Sequence, residues 1–117
     1  MQFTVLFYTL VALAISALAL PTGDVRVIQL RLWGEAGCTE QNLGELGLYK
    51  STLDQCHSFL GNYTIGSVST EFVNAGYATQ LFSDTACQDD QVEVTTTGCT
   101  DADTVFGSYK LVATTEA

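Results

Sequence analysis

Turn-forming residues interrupt this chain about every ten residues, and after the amino terminus no stretch between them carries the 3.6-residue apolar period of a packed helix. What remains is two-residue alternation. In 65–73, Val68, Thr70 and Phe72 share one phase and Ser67, Ser69 and Glu71 the other, as in a half-buried strand. Asn74-Ala75-Gly76 then makes a hairpin-type turn, and Tyr77, Thr79 and Leu81 restart the alternation over 77–83. Further strands are expected at 24–33, 45–53, 91–96 (with Val92 and Val94 inward) and 105–113. In the first of these the phase changes at Val27-Ile28, which predicts a bulge or burial on both faces. Trp33 is expected in the core or at its half-buried rim. A short helical turn from Thr39 is open, because Thr can cap and Glu40 suits the first turn, and Gly44 and Gly47 oppose anything longer. The segments 34–44, 54–62, 83–90 and 97–104 read as connections. The sum is an all-β sandwich, or small barrel, of about six short antiparallel strands. A doubling of two three-stranded halves stays open, with no repeat in the residues strong enough to use.

A domain of this size gains from covalent cross-links. Cys38, Cys56, Cys87 and Cys99 are even in number, and no two have the close C-x-x-C spacing of a zinc site, so two disulfides are expected. Local pairing, Cys38–Cys56 with Cys87–Cys99, is favoured because each pair flanks one strand and needs no long-range threading. Cys38–Cys99 with Cys56–Cys87, and Cys38–Cys87 with Cys56–Cys99, stay open.

The setting for oxidation comes from the amino terminus. Apolar residues dominate from Phe3 to Leu18, Ala17-Leu18-Ala19 offers a small-x-small cleavage site, and Pro21 and Gly23 follow. Residues 1–19 are therefore expected to be a cleaved signal peptide, although no Lys or Arg precedes the apolar run, and 20–117 a single secreted domain. In that setting Asn62-Tyr63-Thr64 is a credible N-glycosylation sequon at Asn62.

The net charge of −9 excludes the basic patch that nucleic acid or anionic lipid would need, and a soluble monomer is expected. Chemistry finds little purchase. His57, the one histidine, adjoins Cys56, but neighbours on a strand point apart, and a disulfide removes the thiolate. There is no G-x-S-x-G elbow and no phosphate loop. Asp84, Asp89, Asp90, Asp101 and Asp103 fall in two loops that together suit calcium in number, yet no EF-hand pattern exists, and a solvated acidic end is the better reading. No catalytic residue, metal ligand or cofactor is expected.

The segment Asn74-Ala75-Gly76-Tyr77-Ala78-Thr79-Gln80-Leu81-Phe82-Ser83-Asp84-Thr85-Ala86-Cys87, then Gly98-Cys99, then Phe106-Gly107-Ser108-Tyr109-Lys110-Leu111, resembles small secreted cysteine-containing proteins of filamentous fungi. Many of these are candidate effectors, and some resemble the βγ-crystallin-like or killer-toxin-like sandwich. The resemblance spans roughly 38–111 and implies a non-enzymatic protein that binds a host or competitor protein, or a cell-surface component, outside the cell. A killer-toxin-like antimicrobial, or an inhibitor of a secreted protease that uses a Cys87–Cys99 loop, is the alternative. The crystallin-type calcium motif is not matched, since Asp89-Asp90 is followed by Gln91, Val92, Glu93 and Val94.

Overall fold

Alternating apolar residues become strands throughout, and the structure, a computed structural model describing residues 24–59 and 63–114, contains eight of them. They are β1 (Arg26–Trp33), β2 (Asn42–Tyr49), β3 (Cys56–Ser58), β4 (Ile65–Val73), β5 (Tyr77–Phe82), β6 (Val92–Val94), β7 (Gly98–Phe106) and β8 (Ser108–Ala113). A 3-10 turn, Lys50–Thr52, follows β2. Two four-stranded antiparallel sheets result, in the orders β2-β1-β4-β7 and β3-β8-β5-β6. The fold is all-β, as expected. The expected signal peptide 1–19 and the sequon residue Asn62 lie outside the described residues. Among the described residues no helix is long and apolar enough to cross a membrane.

The order of the strands reveals two like halves. In each, the first strand pairs with the second and the fourth, while the third leaves for the other sheet. Thus β7 lies beside β4, and β3 beside β8. The likeness reaches individual residues. Gly34-Glu35-Ala36-Gly37-Cys38 after β1 corresponds to Ser83-Asp84-Thr85-Ala86-Cys87 after β5, and Ile65-Gly66-Ser67 to Phe106-Gly107-Ser108. Left-handed backbone recurs at matching places, Cys38 (φ 55°) with Cys87 (58°) and Gln41 (60°) with Asp90 (53°). The doubling is therefore real, but its halves have four strands rather than three.

The two extra strands, β3 and β7, are the exchanged ones; β3 falls in a segment read as a connection, and so does β7 except for Val105 and Phe106, which lie in the strand expected at 105–113. Each is an edge strand, so neither needs an apolar residue at every second position. Two phase expectations also resolve. Val27 and Ile28 are both buried, with a register shift against β2. Phe72 departs from the face it was assigned: Gln29 pairs with Phe72 but Leu30 with Thr70, so Glu71 is an extra residue and the bulge turns Phe72 outward, under the Arg26 guanidinium at 5.4 Å. Val94 packs on the core, whereas Val92 stays exposed at the edge.

The local cysteine pairing is overturned. The bonds are Cys38–Cys99 and Cys56–Cys87, each with 6.0 Å between Cα atoms. Proximity in sequence misleads because the exchanged strands carry Cys56 and Cys99 away from their own halves. Each bond joins the loop after a half's first strand to the visiting strand from the other half.

Between the sheets sit Val27, Ile28, Leu30, Leu48, Ile65 and Val68 from the first half and Leu81, Phe106 and Leu111 from the second. Burying each large side chain contributes about 1.5–3 kcal/mol, and neither half supplies a closed core alone. Among these residues lies Thr79, 1% exposed, whose Oγ1 has no hydrogen-bond partner. An unpaired buried hydroxyl costs free energy that a methyl does not. Thr79→Val is therefore expected to stabilise the protein by about 1 kcal/mol, read from urea denaturation. A destabilised variant would contradict this.

Candidate functional site

Two loops, 34–41 between β1 and β2 and 83–91 between β5 and β6, fold back over the sheets, and one device pins both. The Ser67 hydroxyl, fully buried, accepts the Cys38 N–H at 3.0 Å and donates to the Glu35 carbonyl at 2.6 Å. The Ser108 hydroxyl, equally buried, accepts the Cys87 N–H at 3.0 Å and donates to the Asp84 carbonyl at 2.6 Å. The preceding glycines let the loops lie this close. A Cβ on Gly66 would stand 2.9 Å from the Glu35 backbone, and one on Gly107 2.7 Å from the Asp84 carbonyl oxygen. The disulfides then fix each loop to a visiting strand. These glycines and serines were not singled out from the sequence. The pairing of Gly-Ser in 66–67 and 107–108 with a cysteine-bearing loop in each half is the signal that finds them.

Acidic side chains complete the loops differently. Asp84 Oδ1 accepts the N–H groups of Gln88 (3.0 Å) and Asp89 (2.9 Å), and Oδ2 that of Ala86 (3.1 Å). These donors, the Asp89 N–H foremost, hold the Asp84 carboxyl below its ordinary 3.8. In the other loop the acid comes from the visiting strand: Asp101 Oδ1 accepts the Gly37 N–H at 2.7 Å. Of the five aspartates read as an acidic end, Asp84 and Asp101 thus hold backbone. Asp90, Asp101 and Asp103 border a cleft of about 60 Å³ with Ser83 and Thr104, where Ser83 donates to Asp90 at 2.7 Å. Among the described residues no three His, Cys, Asp or Glu side chains converge as metal ligands.

A carboxyl that is more acidic in the folded chain than in the unfolded one adds stability that is complete above the ordinary carboxylate range and is lost as pH falls through the lowered value. The thermal midpoint should therefore drop as pH falls below about 5 through the carboxylate range, and Asp84→Ala should flatten part of that slope. An unchanged slope in the variant would show that the carboxylate does not anchor its loop.

His57 is half-buried on β3, stacked on Tyr109 at 5.4 Å between ring centres, while Phe59 packs on the same ring at 5.0 Å. Burial raises the Tyr109 phenol above its ordinary 10.0. Since Cys56 is bonded to Cys87, the adjacent cysteine and histidine form no nucleophile–base pair. Trp33 is half-buried on the outer face of its sheet, its Nε1 donating to Ser69 Oγ at 3.1 Å. Beside it Arg31 is paired with Glu45 and Glu71, and Gln29 with Glu45; the Gln29 hydrogen bond foremost, with the Arg31 charge among the lesser causes, lowers the Glu45 carboxyl.

A feature not anticipated is a shallow groove of about 790 Å³ beside the β4–β5 turn, bordered by Asn74, Tyr77, Gln80, Glu93, Thr95 and Thr114. The second and third residues of the sequon, Tyr63 (66% exposed) and Thr64, lie at the surface. Compared with known proteins, the chain matches no family model, no curated protein and no solved structure.

Proposed function

We propose that this is an extracellular, non-catalytic binding protein of the fungal-effector type, which meets a host or competitor component through the loops 34–41 and 83–91. One observation carries the reading: both loops are held at three levels, by a disulfide, by a buried serine and by an aspartate. Recognition gains when a loop does not have to be ordered on binding, and such bonds persist in oxidising surroundings. Protease inhibition is the weaker alternative. It was tied to a Cys87–Cys99 loop, and Cys87 is bonded elsewhere, in a segment folded back around Asp84. Membrane attack in the manner of a cationic toxin does not suit a net charge of −9.

The test is a pull-down from host extracellular fluid with the secreted protein, compared with exposed-loop variants Thr39→Arg and Gln88→Arg and with His57→Ala. Loss of a captured partner in a loop variant, with His57→Ala unaffected, supports the reading. Activity that depends on His57 alone would replace it with catalysis. Infiltration of culture filtrate into leaves, against its addition to competing microbes, separates effector from antimicrobial. Export itself predicts a secreted product that begins near Leu20 and loses mass on removal of N-glycans, a loss that Asn62→Gln abolishes.

A further inference from the structure

We propose that the Asn74-Ala75-Gly76 turn is a processing site, at which cleavage by an endoprotease that accepts small residues gives a folded two-chain protein held together by both disulfides. This does not depend on the functional reading.

Three observations lead to it. The turn is the one backbone connection between the halves, and all three residues are exposed. Exposed tips of small residues are where proteases nick folded domains; Gly76, at φ 94°, has open space where a side chain would stand. Next, both disulfides cross this point, since Cys38 and Cys56 precede it and Cys87 and Cys99 follow it. Local pairing would have left the halves without a covalent link. Finally, the ends are seated independently of the turn: the Asn74 N–H donates to the Val27 carbonyl at 2.8 Å, and the Thr114 N–H to the Gly76 carbonyl at 2.8 Å. The bond given up within the turn is Tyr77 N–H to the Asn74 carbonyl, 3.3 Å.

Cleavage consumes one water, breaking a peptide C–N bond into a new carboxylate and a new amine. The β1-β4-β7 and β3-β8-β5 pairings and the shared core remain in place. Separation needs a second agent: a dithiol reductant supplies two electrons and two protons to each disulfide and is itself oxidised to a disulfide. Once the halves separate, each loses the strand it borrows, and the strand it lends is left without its partner.

The experiment treats the secreted protein with an elastase-type protease, and in parallel treats a variant carrying a sequence-specific protease site between Ala75 and Gly76 with its cognate enzyme. The expected product migrates as one species without reductant and as two fragments with it, the first break maps to 74–76, and tryptophan emission keeps its folded wavelength until dithiothreitol is added. Fragments that separate without reductant, a folded signal lost on cleavage of the variant, or a first break elsewhere in the natural chain would each overturn the proposal.

Discussion

Replacing Cys38 and Cys99 together by serine is expected to cost about 4 kcal/mol of stability, and replacing Cys56 and Cys87 about as much. The bonds span sequence separations of 61 and 31. In the chain-entropy account each therefore removes more freedom from the unfolded chain than the local pairs would, at about 3 kcal/mol each. A native-state effect adds to this. The visiting strand β3 has three residues, and its pairs with β8 are Cys56–Lys110, His57–Tyr109 and Ser58–Ser108. Without the bond to Cys87 so short an edge keeps only these pairs, the flanking Asp54 N–H to Leu111 and Phe59 N–H to Gly107 bonds, and the packing of His57 and Phe59 on Tyr109. Small domains have about 5–15 kcal/mol in hand, so the four-serine protein is expected to be unfolded at room temperature, and either double variant to survive with a strongly lowered denaturation midpoint. Urea denaturation followed by tryptophan emission measures this. Two double variants as stable as the parent would mean that the cross-half bonds are ornamental.

The second large effect is expected from one methyl group. Gly107→Ala should cost about 3 kcal/mol, because the new Cβ meets the Asp84 and Ser83 carbonyls at 2.7 and 2.9 Å, and backbone cannot step aside as a flexible side chain can. Lifting the loop also breaks the Ser108 hydrogen bonds that hold it. Gly66→Ala should behave alike against the Glu35 backbone. The contrast is Gly76→Ala, where the φ of 94° is unfavourable but the space is open, and about 1 kcal/mol is expected. Thermal denaturation of the three variants decides. If Gly76→Ala proves the worst, turn geometry rather than loop apposition limits the fold.

Much of the difference between what sequence conveys and what the fold does lies in the two exchanged strands. β1, β4, β5 and β8 lie inside the sheets and carry alternating apolar residues such as Ile28, Leu30, Val68 and Leu81, so their places are legible. β3 and β7 are edges. Cys-His-Ser offers no period, and Asp101 and Asp103 make β7 look like a solvated loop although Asp101 is holding the Gly37 N–H. Misreading the exchanged strands carried the disulfide pairing with it, because Cys56 and Cys99 ride on them. Phe72 was lost to a one-residue bulge, which alternation cannot register. The loop pins were legible only in comparison of the halves: a lone Gly-Ser means little, but Gly66-Ser67 and Gly107-Ser108 at matched places do.

The fold turns on two halves that lend each other a strand and are locked where they do so. Cleavage of the unreduced protein by an enzyme that cuts after Asp and Glu, at Asp54, Glu71, Asp84, Glu93 and Asp101 among others, places each cysteine in its own peptide. Mass spectrometry of that digest is predicted to find Cys38 joined to Cys99 and Cys56 joined to Cys87. Peptides joining Cys38 to Cys56 and Cys87 to Cys99 would contradict the exchange of strands itself.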